Sequence, residues 1–173
     1  MKKLLIVIDY QNDFVSGSLG FKEAIDIEEN ICKLIESFKN SGDDVIFTYD
    51  THPNNYLETQ EGRNLPVVHC VKDTEGWNLY GKVNDLSQDC IKIEKPTFPS
   101  LQLGNYIKDK DYKEVTMCGV VSNICVISNA VIVKAALPEA KIIINKKATA
   151  SNDPKLHEMS MEIMKNLHME IKE

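Results

Sequence analysis

The sequence lacks the features that mark membrane, nucleic-acid-binding and disulfide-stabilised proteins. No stretch of its 173 residues approaches the ~18 consecutive apolar residues of a membrane span. Acidic residues outnumber basic ones by 26 to 20, and the net charge of -6 disfavours a phosphate backbone as the partner. The 5 cysteines are odd in number and have neither zinc-knuckle nor redox spacing, so we expect reduced thiols. We therefore expect no nucleic-acid partner and no membrane association.

The apolar start of the chain is not expected to act as a secretory signal. The run in MKKLLIVIDY stops at Asp9, too early for a signal core, and no small-residue cleavage site follows it. We predict a cytoplasmic protein. With no internal repeat or linker, residues 1–173 are expected to form a single domain, which is long enough to bury a substantial apolar core.

Short apolar, β-branched runs alternate along the chain with segments of helical period. Strands are predicted at 4–9, 45–50, 91–94, 115–120, 141–145 and 169–171, and helices at 26–40, 101–110, 122–137 and 154–167. The strands are continuous apolar runs, as sheets covered on both faces require. This pattern predicts an α/β fold of three layers, α/β/α, with a central mostly parallel sheet. The long polar segment 51–89 shows no clear periodicity, which is typical of a functional loop.

Functional sites of open parallel sheets form beyond the carboxyl ends of the strands. This rule selects Asp9, Asp50, Lys95 and the turn 119–125, all of which follow a predicted strand. Asp9 alone is most simply a turn former or a helix cap. Beside a cysteine and a lysine from other strand ends, it becomes a candidate general base.

Cys125 follows a strand that runs into Gly119, turns and enters a helix. Backbone N–H groups at such a helix start can hold an oxyanion, and the helix dipole favours a thiolate there. A buried cysteine that packs as a small apolar side chain is the commoner alternative. We assign that alternative to Cys32, Cys90 and Cys118, which lie within apolar or amphipathic runs.

Lys95 follows a predicted strand, and Pro96 fixes the direction of the chain after it. Most lysines are simply exposed surface side chains. A cation close to Cys125 would lower the pKa of the thiol and keep Asp9 ionised.

The sequence Asp50-Thr51-His52 places two potential metal ligands on the same side of an extended segment, and His69 follows in the polar loop. Oxygen and imidazole ligands suit zinc, iron or manganese, and three protein ligands would leave positions open for substrate or water. The alternative is an ordinary polar loop with a capping Asp and two hydrogen-bonded histidines. Glu58 and Glu61 could also ligate an ion, although such side chains are more often solvated.

Four motifs resemble those of the isochorismatase-like hydrolases, in the same order and over nearly the whole chain. They are VIDYQNDF (7–14), PVVHC with DTEGW (66–70 and 73–77), EKPTF (94–98) and GVVSNICV (119–126). The resemblance implies the isochorismatase-like hydrolase fold and a catalytic triad of Asp9, Lys95 and Cys125. It also implies an oxyanion hole formed by the N–H groups of Val121 and Cys125, and a cis peptide bond between Val120 and Val121.

Asp50, His52 and His69 correspond to the metal ligands of the nicotinamidase-like branch. That branch implies a small-molecule amide substrate, with nicotinamide converted to nicotinate and ammonia through a thioester at Cys125, and a divalent metal, zinc before iron or manganese. The alternatives are another hydrolase of the family, acting on a ureido or carbamoyl amide or on isochorismate, and a catalytically idle member that binds a metabolite. A structural metalloprotein is the third alternative. A homo-oligomer is also compatible with the resemblance.

The sequence departs from the nicotinamidase pattern around the expected substrate ring. Phe14 is present as one wall of the slot, but Pro66 stands where an aromatic residue usually forms the other. Thr51 stands where many nicotinamidases have Trp, and Asp73 replaces a usual Gly. Trp77 is the candidate for a replacement wall.

Overall fold

A computed structural model describes residues 2–173, which form one six-stranded sheet with helices on both sides. The strands are β1 (Leu4–Ile8), β2 (Asp44–Asp50), β3 (Ile91–Lys95), β4 (Glu114–Val120), β5 (Lys141–Ala150) and β6 (Glu170–Lys172). The α-helices are α1 (Asn12–Val15), α2 (Lys22–Asp26), α3 (Glu28–Asn40), α4 (Gln60–Asn64), α5 (Gly81–Leu86), α6 (Leu101–Ile107), α7 (Ile127–Ala136) and α8 (Pro154–Asn166). No helix within residues 2–173 is long and apolar enough to cross a membrane.

The strand order is β3-β2-β1-β4-β5-β6, and every neighbouring pair is parallel. Alternate side chains of β1 point to opposite faces and enter separate apolar cores. Leu4, Ile6 and Ile8 pack with α6, α7 and α8, whereas Leu5 and Val7 pack mainly with α2, α3 and α5. The predicted three-layer α/β fold is therefore confirmed, and each side of the sheet is stabilised by its own buried apolar surface.

Several boundaries differ from those predicted. The helix expected over 26–40 corresponds to α3, which begins at Glu28, and the preceding helix α2, which ends at Asp26, was not predicted. The helix expected over 122–137 begins as a π-helix over Ser122–Val126. Strand β5 continues to Ala150, beyond its apolar run, because it keeps pairing with β4 after a register shift.

The polar segment 51–89 is not structureless. It contains a 3₁₀-helix (Tyr56–Glu58) and the short helices α4 and α5. The hydroxyl of Thr59 caps α4 by accepting a hydrogen bond from the N–H of Gly62. Helices of five or six residues are too short to show a periodic apolar pattern, which explains why the sequence did not reveal them.

Strand register gathers the chemically active residues at one edge of the sheet. Asp50 of β2 pairs with Lys95 of β3, and Ile8 of β1 pairs with Gly119 of β4. Gly119 has a φ of 115°, and a Cβ there would lie 2.1 Å from the Ile8 carbonyl oxygen. Only glycine therefore allows β4 to end this close to β1, beside Asp9.

Candidate active site

The three residues predicted as a catalytic triad lie together at this edge. The Lys95 Nζ atom is 2.6 Å from Asp9 Oδ2 and 3.7 Å from Cys125 Sγ. Asp9 and Lys95 are fully buried, and Cys125 is 5% exposed. The geometry brings a thiol, a carboxylate and an ammonium into contact, and their catalytic roles remain predictions.

The two carboxylate oxygens of Asp9 have different surroundings. Oδ1 accepts a hydrogen bond from the Thr48 hydroxyl at 2.6 Å, and that hydroxyl oxygen also accepts from the Asp9 backbone N–H. Oδ2 lies 2.6 Å from Lys95 Nζ, but the angles of this contact are not those of a hydrogen bond. No other group in residues 2–173 donates a hydrogen bond to Oδ2. One oxygen thus orients the carboxylate, while the other can receive a proton.

Burial and the neighbouring charges together determine the pKa values of Asp9 and Lys95. Burial raises the pKa of Asp9, although Lys95 opposes this shift. Burial disfavours a charged Lys95 as well, but the carboxylates of Asp9 and Asp50 raise its pKa well above the usual range. Lys95 is therefore a cation at neutral pH.

The pKa of Cys125 is raised well above its usual range, which corrects the expectation of a lowered value. Burial is the main cause, and Asp9 adds to it, so that together they outweigh the lowering effect of Lys95. The resting group is a neutral thiol. A nucleophilic role would consequently require a base, and Asp9 is the carboxylate that shares the Lys95 ammonium with the thiol.

The turn after β4 has the predicted shape. The peptide bond between Val120 and Val121 is cis, as expected from the resemblance. The π-helix Ser122–Val126 follows directly and carries Cys125, whose thiol faces a cavity. Val121 borders the same cavity.

A second cluster, the metal cluster, consists of Asp50, His52, Glu61 and His69. One ligand atom from each residue lies within 4.8 Å of all the others. The Nε2 atom of His52 is 3.0 Å from Asp50 Oδ2 and 3.5 Å from Glu61 Oε1, and that of His69 is 3.5 Å and 3.7 Å from the same two atoms. Ligands bonded at about 2.1 Å to one ion lie roughly 3.0–3.4 Å apart, so the donor set fits a divalent cation such as zinc.

Neighbouring groups fix the direction of these ligands. The Nδ1 atom of His69 lies 2.8 Å from the Val67 carbonyl oxygen, so an N–H there donates to it and leaves Nε2 as an acceptor for a metal. The side-chain amide of Gln11 accepts from the Asp50 N–H at 2.8 Å and donates to the Asp50 carbonyl at 2.9 Å. Gln11 thereby fixes the backbone of Asp50 through both its N–H and its carbonyl group.

Glu61 joins the metal cluster, whereas Glu58 does not. Glu61 is carried by α4, while the Glu58 carboxylate accepts a hydrogen bond from Asn55 at 3.1 Å. Burial and the nearby charge of Asp50 raise the pKa of Glu61. Two carboxylates held this close favour a cation between them.

Asp50 belongs to both clusters. Its Oδ2 atom faces the two histidines, and its Oδ1 atom is 3.1 Å from Lys95 Nζ. Although burial opposes ionisation, Lys95 and the histidines lower the pKa of Asp50, which is therefore anionic. One carboxylate thus links Asp9, Lys95 and Cys125, the candidate nucleophile cluster, to the metal cluster.

A cavity of about 210 Å³ opens onto both clusters. Cys125 and three residues of the metal cluster, Asp50, Glu61 and His69, line it, and its remaining lining is mostly apolar. The rest of the lining consists of Phe14, Leu19, Phe21, Leu65, Phe98, Val121, Ile124 and Asn152. A small, mostly apolar molecule that carries polar groups would match this size and chemistry.

Phe14 lies in the cavity wall as predicted, but Trp77 does not. The ring of Trp77 packs against Tyr49 at 5.0 Å, and its Nε1 donates to the Thr51 hydroxyl at 2.9 Å. The suggestion that Trp77 replaces the missing aromatic wall is therefore wrong, because this contact fixes its ring against Tyr49 and away from the cavity lining. Leu65 and Phe98 line the cavity instead.

The sequence of this chain matches a known protein family. The family model "Isochorismatase domain" matches residues 3–171. The chain belongs to the isochorismatase family. Both the predicted family and the prediction of a hydrolase are thereby confirmed.

Relatives of this isochorismatase-family hydrolase span its full length. An isochorismatase family protein of Bacillus subtilis, PncA, is 34% identical, with 96% of each chain covered. The crystal structure of nicotinamidase PncA from Bacillus subtilis has 30% identity and a TM-score of 0.89, with both chains fully covered. A pyrazinamidase of Pyrococcus horikoshii in complex with zinc has 27% identity and a TM-score of 0.87, with 100% of this chain and 99% of that chain covered.

Proposed function

We propose that this protein hydrolyses a small carboxamide, with nicotinamide as the first substrate to test, through a thioester at Cys125. The observation that carries the proposal is the contact of Lys95 with both Cys125 and Asp9, where Cys125 lines a cavity that Asp50, Glu61 and His69 of the metal cluster also line. Similarity to a nicotinamidase and a pyrazinamidase supports the same reaction class.

The reaction begins with transfer of the thiol proton of Cys125 to Asp9. The raised pKa of the thiol makes this base necessary, and the Oδ2 atom of Asp9 is free to accept the proton. The sulfur attacks the carboxamide carbon, and the N–H groups of Val121 and Cys125 stabilise the oxyanion. Loss of one such donor typically slows an enzyme by about 10²–10³.

Asp9 next returns the proton to the departing nitrogen, which leaves as ammonia. The C–N bond breaks and a thioester remains on Cys125. Water, deprotonated by Asp9, attacks the thioester and releases the carboxylic acid together with the regenerated thiol. Lys95 stays protonated throughout and keeps Asp9 in its basic form between the steps.

Asp50, His52, His69 and Glu61 would hold a divalent metal, and zinc suits this set of ligands. The ion would supply a Lewis acid that binds a heteroatom of the substrate. Phe14, Leu65 and Phe98 line the same cavity and would pack against an aromatic ring of the substrate. A ring nitrogen directed towards the metal cluster would place the amide group near the thiol.

The decisive experiment measures ammonia release from nicotinamide by the wild-type protein, Cys125→Ala and Cys32→Ala. Cys32 is also a buried cysteine, but it lies in α3 and outside the cavity. We expect Cys125→Ala to lose all measurable turnover and Cys32→Ala to retain it. Turnover by Cys125→Ala at the wild-type rate would exclude the thioester route.

A panel of pyrazinamide, N-carbamoyl amides and isochorismate then defines the substrate class. We expect the pyridine and pyrazine carboxamides to have the highest kcat/KM, because the cavity is small and largely apolar. A preference for a non-aromatic ureido substrate would still agree with a hydrolase. It would contradict the proposal that the cavity binds an aromatic ring.

A further inference from the structure

A buried amide joins the turn that carries Cys125 to the loop that follows β3. Asn129 lies in α7 and its side chain is fully buried. Its Nδ2 donates hydrogen bonds to the carbonyl oxygens of Cys125, at 2.8 Å, and Phe98, at 2.9 Å, and its Oδ1 accepts from the Ser100 N–H at 2.9 Å. A carboxamide can make all three bonds because it combines two donor hydrogens with an acceptor oxygen in one plane.

The loop between β3 and α6 has few other attachments. Within residues 2–173, the backbone from Pro96 to Pro99 makes two hydrogen bonds: Phe98 with Asn129, and the Thr97 carbonyl with Lys95 Nζ at 3.0 Å. The placement of this loop on the rest of the molecule therefore depends strongly on Asn129.

Both ends of this connection reach the candidate site. On one side, Asn129 holds the carbonyl of the nucleophile residue; on the other, it holds the segment that supplies the wall residue Phe98 and the Thr97 carbonyl that receives Lys95. The thiol and the ammonium lie 3.7 Å apart across this connection. Asn129 itself does not line the cavity.

We propose that Asn129 is a positioning residue that fixes the Cys125 turn against the Lys95–Ser100 loop, and thereby the distance between thiol and ammonium. The inference rests on the proposed thiol chemistry. Misplacement of reacting groups by about 1 Å can cost about 100-fold in rate, so one internal connection of this kind has a large kinetic effect.

The test compares Asn129→Ala with Ser100→Ala. The second variant removes the hydroxyl that caps α6 through the Leu103 N–H, at 3.0 Å, but leaves the Ser100 N–H available to Asn129. We expect both variants to have a lower Tm. Only Asn129→Ala should lower kcat for amide hydrolysis, by tenfold to a hundredfold, and slow the alkylation of Cys125 by iodoacetamide by at least tenfold at a fixed pH.

Equal kcat and alkylation rates in Asn129→Ala and Ser100→Ala, or faster alkylation in Asn129→Ala, would overturn the proposal. If Asn129→Ala does not fold, Asn129→Ser takes its place with the same expectations. Amide hydrogen exchange of the wild-type protein, followed by NMR, provides a measurement that needs no variant. The Ser100 N–H should be protected to the same degree as the buried amides of α7, and exchange at the rate of an exposed loop would refute the connection.

These measurements are separate from the proposed substrate. If the wild-type protein releases no ammonia from any amide, the proposed function fails. Alkylation of Cys125 and exchange of the Ser100 amide still decide whether Asn129 positions the thiol.

Discussion

The candidate nucleophile cluster and the metal cluster are neighbours built in different ways. Asp9, Lys95 and Cys125 are at, or follow closely after, the carboxyl ends of three strands, β1, β3 and β4. In the metal cluster only Asp50 lies in a strand. His52, Glu61 and His69 belong to the segment between β2 and α5, which contains one turn of 3₁₀-helix and the five-residue α4.

The difference shows how each cluster is kept in place. The nucleophile cluster is positioned by strand register, in which Asp50 pairs with Lys95 and Ile8 with Gly119. The metal cluster depends on local contacts, including rings of Tyr56 and His52 that lie 4.7 Å apart. We therefore expect changes in the nucleophile cluster to affect chemistry and changes in the metal cluster to affect ion affinity first.

The largest effect should come from the one residue that joins the two clusters. Asp50→Asn keeps the size of the side chain but removes the charge that faces both Lys95 and the histidines. We expect kcat/KM to fall by about 10³ or more and bound zinc to be lost together with activity. Asp26→Asn, which changes an exposed carboxylate, is the control and should retain both. An Asp50→Asn protein that lost only its activity or only its zinc would show that Asp50 does not couple the two clusters.

Asp9→Asn should affect only the nucleophile cluster. Removal of the proposed base should lower kcat by about 10²–10⁴, with unchanged zinc content by metal analysis. Thr48→Val, which removes the hydroxyl that orients Asp9 Oδ1, should have a smaller effect in the same direction. A wild-type kcat in Asp9→Asn would remove this residue from the mechanism.

Glu61→Gln should affect mainly the metal cluster. We expect zinc to bind about 10–100-fold more weakly in a competition titration with a chelator, while addition of excess zinc restores most of the turnover. Glu58→Gln is the matched control, because Glu58 lies in the same segment but outside the cluster. Equal zinc affinity in the two variants would contradict the assignment of Glu61 as a ligand.

The smallest effect concerns the pH dependence of the wild-type protein, whose acid limb should lie above the ordinary pKa of an aspartate. Asp9 must be ionised to accept the thiol proton, so activity should disappear as the pH falls through the pKa of Asp9. Burial raises this pKa above the ordinary value of 3.8. The acid limb of kcat/KM should therefore lie above pH 3.8, as measured with the zinc-saturated protein in a series of buffers. A limb at or below 3.8 would indicate another base.

The sequence was sufficient to predict the fold and the residues at strand ends. Asp9, Asp50 and Lys95 follow apolar runs whose parallel pairing forces them to one edge, and the resemblance adds Cys125 and the cis peptide bond. The positions could be predicted because the carboxyl ends of parallel strands lie at the same edge of the sheet, so residues that follow these strands come close together.

The surroundings of the site could not be predicted in the same way. Glu61 is brought to the histidines by α4, which is too short to leave a periodic pattern. Leu65 and Phe98 lie in loops, where side-chain direction depends on tertiary contacts. Asn129 is a polar residue within a largely apolar helix, and its two hydrogen bonds to Phe98 and Ser100, 31 and 29 residues away along the chain, depend on the folded structure.

The two oxygens of Asp50 also limit how this scaffold can be redesigned. Because one oxygen faces Lys95 and the other faces the histidines, a version that works without an ion must still carry an anion at position 50. Engineers who wish to exchange the preferred metal have more freedom at Glu61, whose carboxylate does not pair with the lysine. Ion selectivity at the proposed metal cluster is thus best altered through Glu61 in the segment between β2 and α5, and not through Asp50 in the sheet.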